Sequence, residues 1–169
     1  MSTFMNKQYD AINVFNTLRL RAITDSWIAS LFKKENSPKQ FEENRSINLR
    51  NKRFMGIQDI RLDKIIGTLG RETDFDKSFR PLKKHLRDRW VSAFLRLAAD
   101  RWQPITVHKV GEFYYVEDGH HRVSVALSTG MIFIEAEVWD HSSYRAPHKI
   151  YIPKGKPAKR CTETCSTNI

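Results

Sequence analysis

The sequence predicts an α+β protein, because a strand hairpin is followed directly by a helix and a further strand. Two apolar runs, residues 105–110 and 113–117, flank Gly111 and Glu112, which is typical of antiparallel strands joined by a tight turn. A segment interrupted by glycines and then a long helix precede the hairpin. Strands and helices are therefore expected in one compact unit.

The segment after the hairpin predicts one short helix and one strand with a single buried face. Residues 121–129 carry apolar side chains at helical spacing, and Gly130 follows as the residue type that best closes a helix. Residues 132–139 alternate between two sets of side chains, as such a strand does. The side chains expected to face the core are Ile132, Ile134, Ala136 and Val138.

The N-terminal part predicts a helical extension. Apolar residues recur every three or four positions from residue 6 to about residue 34, which places them on one side of a helix or helix pair. They are Tyr9, Ile12, Phe15, Ile23, Trp27 and Leu31. We interpret this as an amphipathic helix docked on the domain, with DNA contact by its basic face as the alternative. Its aromatic residues also allow pairing with a second copy in a homodimer.

The segment before the hairpin predicts irregular structure and then a helix. Residues 54–75 combine short apolar runs with three glycines, so strand, turn and loop are expected there. A helix is predicted over residues 78–100, because Pro81 suits a first turn and apolar residues repeat every four positions. Another face of this helix would be basic, with Arg80, Lys84 and Arg87.

The composition divides the chain into three parts. These are a helical extension with a basic connector (1–53), the α+β domain (54–140) and a basic tail (141–169) that is expected to be mobile when free. The chain has 29 lysines and arginines against 19 acidic residues, a formal charge of +10. This surplus favours polyanionic partners, namely nucleic acid, nucleotides or an acidic membrane surface.

Hydropathy and cysteine content limit where the protein is expected to be located. No run has the roughly 20 apolar residues of a spanning helix, and the N-terminus lacks the pattern of a signal peptide, so a cytoplasmic protein that does not insert into a membrane is predicted. Cys161 and Cys165 lie in the polar tail without a second pair, and no metal site is predicted from them. They are interpreted as bystanders, with a redox pair as the alternative.

The stretch "VEDGHHRVSVA" places five polar residues between an aromatic strand and an apolar helix. At such a junction the first amides have no partner within the helix and the helix dipole is positive, so anions bind there. Gly119 would let a phosphate approach the backbone, and Arg122 would bind its oxygens through two hydrogen bonds. Asp118 would cap the helix or face the ligand. The alternative is a simple turn in which His120 is a packing residue.

The order and spacing of several pieces resemble the ParB/sulfiredoxin-like superfamily. The pieces are "IRLDKIIGTLGR", a long helix, "PITVHKVGEFYYVEDGHHRVSVALSTG" and "IEAEVW". The resemblance covers about residues 57–140, and "DGHHRVSVA" is its most specific part. It implies a small mixed sheet with packed helices. It also implies a Gly-x-x-Arg box that binds the phosphates of a nucleoside di- or triphosphate, such as CTP, ATP or ADP, with or without Mg²⁺.

Carried over to this chain, the resemblance makes Gly119, His120, His121 and Arg122 the phosphate box, faced by a loop with Gly70 and Arg71. Where sulfiredoxins have a cysteine before His-Arg, this chain has His120, which argues against sulfinic acid reduction. The Glu-Asn pair that the family's DNA clamps associate with magnesium has no counterpart after Trp139. Their helix-turn-helix domain has no room in the remaining residues. A full partitioning clamp is therefore not expected.

The sequence leaves three functions open, since a fold does not settle function. The first is a nucleotide-binding regulator that also contacts DNA. The second is a phosphotransferase resembling the family's free-serine kinase, or a nucleotide hydrolase, with Asp118, Glu72 and His121 as candidate catalytic residues. The third is a basic interaction module without a ligand. DNA contact would use two basic clusters, Arg80, Lys84 and Arg87, and Arg50, Lys52 and Arg53.

Overall fold

The computed structural model describes residues 2–41, 52–100 and 102–141; the tail with its two cysteines lies outside these ranges, and so does Arg50. In chain order the elements are α1 (Ser2–Leu31), β1 (Lys39–Gln40), β2 (Arg53–Arg61), β3 (Ile65–Thr68), α2 (Arg87–Leu97), β4 (Ile105–Val110), β5 (Phe113–Asp118), α3 (His120–Ser128) and β6 (Phe133–Asp140). None of the helices in these ranges is long and apolar enough to cross a membrane. The predicted α+β class is confirmed.

The six strands of the described ranges form one mixed sheet, in the order β1-β3-β5-β4-β6-β2. The predicted hairpin is confirmed as the antiparallel pair of β4 and β5. β6 runs parallel to β4 and antiparallel to β2, whereas β3 runs parallel to both β5 and β1. The hairpin therefore lies at the centre of the sheet, and the end of β5 leads directly into α3.

Two buried clusters meet at α3 and fix its position. On one side, Val123 and Ala126 pack against the buried side chains of the sheet. On the other side lies a cluster shared with α1 and α2, which includes Phe15, Phe75, Trp90 and Val125. The indole N–H of Trp90 also donates to the hydroxyl oxygen of Ser124 at 2.9 Å. Since burying each large apolar side chain contributes about 1.5–3 kcal/mol, α3 is a firm base for a site at its N-terminus.

α1 packs on the domain through a face that differs in part from the predicted one. Its fully buried residues are Ala11, Phe15 and Ala22. Of the predicted face, Phe15 is buried, whereas Tyr9, Trp27 and Leu31 are 67%, 74% and 82% exposed. The two alanines bring the helix close to α2 around Phe15. A search for large apolar residues misses the alanines. The prediction is right for Phe15 and for Ile12, which packs against the same cluster, and wrong for Tyr9, Trp27 and Leu31.

The predicted extension takes part in the same sheet and core as the rest of the chain. β1 pairs with β3, and Phe41 packs edge-on against Tyr115 with ring centroids 5.4 Å apart. A Cβ at Gly67 would overlap the carbonyl oxygen of Lys39 and the ring of Tyr115. Glycine at this position therefore allows β1 to lie close to β3. The division into domains stays a prediction.

α2 begins at residue 87, later than the predicted 78, and it ends at residue 97. Before it, Phe79 has a positive φ of 54°, and Phe75 and Pro81 form an isolated antiparallel bridge. The chain thus turns back on itself where a helix was predicted. Pro81 is consequently part of this turn and does not open a helix.

The predicted basic face of Arg80, Lys84 and Arg87 is wrong, because only Arg87 lies on α2. Arg80 lies in the preceding loop, where the carboxylates of Asp76 and Asp25 pair with its guanidinium at 2.6 and 2.7 Å. Its charge is therefore matched by two acids and its side chain is only 21% exposed. Arg80 holds the loop together.

β6 confirms the predicted alternation for Ile134, Ala136 and Val138, which are all buried. Ile132 is 62% exposed, because the strand begins one residue after it. Its carbonyl oxygen accepts a hydrogen bond from the Leu62 amide at 2.9 Å, so residue 132 belongs to the turn that precedes the strand.

Candidate anion-binding cleft

The junction between β5 and α3 exposes a helix N-terminus. Gly119 flanks the helix with φ of 98°, a left-handed conformation that favours glycine. A Cβ at this position would overlap the side chain of Ile105, so the chain passes closely over the start of β4. The residue caps α3 without a side-chain hydrogen bond, and the amides of the first turn have no partner within the helix. They are donors for an external acceptor.

A cleft of about 880 Å³ opens at this junction, between the start of α3, one side of α2 and the turn after β3. Its basic lining consists of Arg71, Arg89, Arg96 and Arg122. Two acids of the described chain, Asp88 and Asp118, also line it. The other polar and aromatic lining residues are Ser92, Trp102, Gln103, His120 and His121. Basic groups from three separate segments thus converge on one helix end.

Arg122 holds two walls of the cleft together. Its Nη1 donates to the carbonyl oxygens of Gln103 and Pro104, the latter at 2.9 Å, and its Nη2 donates to Asp118 at 2.6 Å. These bonds occupy three of the five N–H donors of the guanidinium. The sequence predicts a phosphate clamp at this residue. That role stays a prediction, with two donors left to serve it.

His120 is a buried residue that ties α3 to the end of β3. Its Nε2 lies 2.5 Å from the hydroxyl oxygen of Thr68, and its ring stacks on Phe75 with centroids 6.0 Å apart. Burial, followed by the positive charge of Arg71, lowers the pKa of His120 to about 4. The ring is therefore neutral at pH 7 and supports the junction.

His121 has unused hydrogen-bonding groups. Both of its ring nitrogens are shielded from solvent, and neither has a hydrogen-bond partner within the described ranges. Burial, and then the charges of Arg71 and Arg89, lower the pKa of His121 to about 4. A shielded polar group without a partner costs about 1–3 kcal/mol. An acceptor oxygen placed in the cleft would satisfy the N–H of the neutral ring.

The arginines of the cleft differ in how far their charge is matched. Arg71 donates to Asp74 at 3.2 Å and keeps 40% of its side chain exposed. Arg89 and Arg96 are exposed on α2 and form no ion pair with any residue that the structure describes. Burial is the main cause of the lowered pKa of both histidines, and the charge of Arg71, with that of Arg89 for His121, lowers it further.

The predicted phosphate box is brought together around the cleft, together with Arg71 and Asp118. Gly70 precedes Arg71 with φ of 81°, and Glu72 follows it, but neither residue lines the cleft. Glu72 is thus separated from the other two catalytic candidates. The catalytic roles of Asp118, Glu72 and His121 stay predictions.

The predicted DNA-contacting residues lie apart from the cleft lining. Lys84 is exposed in the 3-10 turn before α2, and Arg87 pairs with its neighbour Asp88 at 3.2 Å. Lys52 lies over the ring of Trp139, with Nζ 4.5 Å from the centroid. Their role with nucleic acid stays a prediction.

Sequence reasoning missed the side of α2 that lines the cleft. With Trp90 and Ala93 buried, Arg89, Ser92 and Arg96 follow one another at three- and four-residue spacing and share a neighbouring face. The signal is present in "RDRWVSAFLRL". The spacing alone does not show that this side of the helix faces the start of α3, which depends on how α2 packs on the domain.

No model of a known protein family matches the sequence, and no curated protein matches it. Among solved structures, the chain is similar to sulfiredoxin from Arabidopsis thaliana, with 23% sequence identity and a TM-score of 0.37. The similar part covers 48% of this chain and 82% of that one. The likeness is partial and concerns the fold.

Proposed function

We propose that the chain binds a nucleoside di- or triphosphate, with the phosphates in the cleft at the start of α3. The observation that carries this is the convergence of four arginines on a helix N-terminus that lacks a side-chain cap. Arg89 and Arg96 form no ion pair within the described chain. Phosphate oxygens would neutralise this charge and accept hydrogen bonds from the free amides.

The size and lining of the cleft favour a nucleotide over a single phosphate. Small-molecule sites have volumes of about 300–1,000 Å³, and this cleft has about 880 Å³. Trp102 lines the same cleft, and its N–H donates to the carbonyl oxygen of Ala93 at 2.8 Å, which fixes the ring. A fixed aromatic ring is a suitable surface for a nucleobase.

Magnesium, if it takes part, would enter with the nucleotide. The described residues contain no group of three His, Cys, Asp or Glu side chains placed to hold a metal ion. Asp88 and Asp118 do line the cleft. Mg²⁺ commonly binds through one or two carboxylates together with substrate phosphates, and the residues present fit that mode.

A ligand panel with the full chain tests the proposal. Thermal unfolding would be followed with CTP, ATP, GTP and ADP, each with and without Mg²⁺, and with the matching nucleosides as controls. A ligand that binds the folded state raises its stability by about 2.7 kcal/mol at 100 times its dissociation constant. We expect a higher Tm with at least one nucleotide and no change with its nucleoside. An unchanged Tm across the panel at millimolar concentration contradicts the proposal.

Phosphoryl transfer or hydrolysis is a second candidate function, favoured by the two carboxylates on the cleft wall. Asp118 accepts a hydrogen bond from Arg122 at 2.6 Å, which holds its carboxylate at the cleft wall. Such chemistry needs positioned positive charge and a base. Phosphate release from the bound nucleotide, lost in Asp118→Asn while binding remains, would support it. Binding without turnover leaves the regulatory function.

The regulatory proposal includes DNA as a partner, bound outside the cleft. Exposed Lys84 and half-buried Arg87 are the test residues, because neither lines the cleft. Binding to duplex DNA should weaken steeply with salt, with about one unit of log-log slope for each phosphate contact. Lys84→Ala with Arg87→Ala should reduce that slope by about 2. Affinity that does not change with salt contradicts a DNA interface of this kind.

A further inference from the structure

The outward side of α1 carries a row of large apolar side chains. They are 62–82% exposed in the part of the chain that the structure describes. At about 100° per residue, they fall within about 80° of one another around the helix. We refer to this row as the outer stripe of α1. It consists of Met5, Tyr9, Leu20, Trp27 and Leu31.

The outer stripe lies on a different side of α1 from the face that packs on the domain. Measured from Tyr9, the buried Ala11, Phe15 and Ala22 lie about 200–240° around the helix. The polar side chains that interrupt the stripe are uncharged, namely Asn13, Asn16 and Thr24. The outer stripe is therefore a second apolar row about 120–160° around the helix from the buried residues, with half-buried Ile12 between the two, and the described chain leaves it exposed. A helix with two apolar rows is normally covered along both.

We propose that the outer stripe binds the outer stripe of a second copy of this chain, with the two helices antiparallel. The stripe is nearly symmetric about residue 18. Met5 and Leu31 are each 13 residues from it, and Tyr9 and Trp27 are each nine residues from it. A two-fold axis at this point places Met5 of one copy against Leu31 of the other, and Tyr9 against Trp27.

The charge pattern favours a second copy over nucleic acid at this surface. The chain has a formal charge of +10, yet the stripe and the residues that interrupt it carry no charge. A polyanion would find no cation to pair with there. In an antiparallel pair the two helix dipoles point in opposite directions, which is favourable. This arrangement also brings the aromatic rings of Tyr9 and Trp27 together.

The length of the stripe sets the expected strength of the pair. The helix from Met5 to Leu31 is about 39 Å long, and a strip about 10 Å wide gives on the order of 400 Å² per copy. This is about half of the surface that each partner buries in an interface of standard size. We therefore expect a weak dimer that forms in a concentration-dependent way. It is independent of nucleotide binding, because no α1 residue lines the cleft.

Sedimentation velocity of the full chain in reducing buffer tests the pairing. The mean mass should rise from monomer toward dimer with concentration. Trp27→Glu places a charge on the paired surface against Tyr9 of the other copy and should raise the dissociation constant at least tenfold. Ile28→Glu is the matched control, because Ile28 is 52% exposed but lies about 100° around the helix from Trp27 and about 60° beyond the edge of the stripe. Its dissociation constant should change less than threefold, and circular dichroism should show both variants folded.

A charge-pair variant tests the antiparallel arrangement. Tyr9→Glu and Trp27→Lys should each weaken the dimer, and the double variant should restore it, since antiparallel helices place the new carboxylate against the new ammonium group. In a parallel pair like charges would meet, and no recovery would follow. A chain that is monomeric at every concentration overturns the proposal. So does dimerisation that Trp27→Glu leaves unchanged, or a stripe that binds neutral phospholipid vesicles without self-association.

Discussion

Arg80, before the start of α2, differs in its surroundings from Arg89 and Arg96, which lie on the helix. In the loop before the helix, Arg80 is enclosed by Asp76 and Asp25. On the helix, Arg89 and Arg96 face the cleft without an ion pair in the described chain. In the sequence alone, nothing distinguishes Arg80 from Arg89 and Arg96. The difference shows that the pairing of a charge decides whether it supports the fold or is available to a ligand.

Arg80 supports the fold by pairing with a buried carboxylate. Asp76 has no exposed surface, and its Oδ1 accepts from the amides of Ser78 and Arg80 at 3.0 and 2.8 Å. Its Oδ2 accepts from the Arg80 side chain. This set of bonds shapes the turn that delays the start of α2. Removing Asp76 would leave Arg80 with Asp25 alone and would leave the amides of Ser78 and Arg80 without this acceptor.

The largest effect is expected for Asp76→Ala. We predict a loss of about 3–5 kcal/mol in the free energy of unfolding, measured by urea denaturation. Asp63→Ala is the control, since Asp63 and its partner Arg61 are more than half exposed. Exposed pairs contribute about 0–1 kcal/mol. Equal losses in the two variants would show that the loop does not depend on the buried pair.

A slightly smaller effect is expected at the junction that presents α3 to the cleft. Gly119→Ala combines a left-handed backbone with overlap of the Ile105 side chain, so we predict a loss of about 2–4 kcal/mol. Gly111→Ala is the matched control, because its φ is also positive but a Cβ there meets nothing within 4 Å. It should cost about 1 kcal/mol. Urea unfolding of both variants makes the comparison, and a smaller loss at residue 119 would contradict the close approach.

The two neutral histidines predict a moderate pH effect. Their pKa is lowered to about 4 in the folded chain, whereas the unfolded chain takes up protons near pH 6.5. Stability is therefore complete above about pH 6.5 and is lost as the pH falls toward 4, by about 2 kcal/mol at pH 5 for His120. His120→Gln should flatten the curve of unfolding free energy against pH. An unchanged slope would mean that His120 has the same pKa in the folded chain as in the unfolded chain.

Local patterns predicted the parts of the fold whose causes are local. The hairpin and α3 follow from alternation, a two-residue turn and a closing glycine, and the structure confirms them. The same local reading gathered Gly119, His121 and Arg122 at one helix end, because they are neighbours in the chain. Their position at a helix N-terminus needed no knowledge of distant residues.

The parts that could not be predicted depend on contacts distant in sequence. The late start of α2 needs the positive φ of Phe79, and it places Arg89 and Arg96, not Arg80, beside the box. The bonds of Arg122 to Gln103 and Pro104 depend on β4 passing under the junction. Nothing in the spacing of residues around Arg122 indicates that most of its donors are already used.

The most direct measurement compares nucleotide affinity in two variants by titration calorimetry. Arg89→Ala with Arg96→Ala removes the unmatched charge of the cleft, and Lys84→Ala removes an exposed charge outside the cleft. Hydrogen bonds to charged groups contribute about 1.5–3 kcal/mol, so the double variant should bind at least about tenfold more weakly. Lys84→Ala should stay within about threefold of the unmodified chain. Equal affinities in the two variants would contradict the central claim that unmatched arginines in the cleft hold the phosphates.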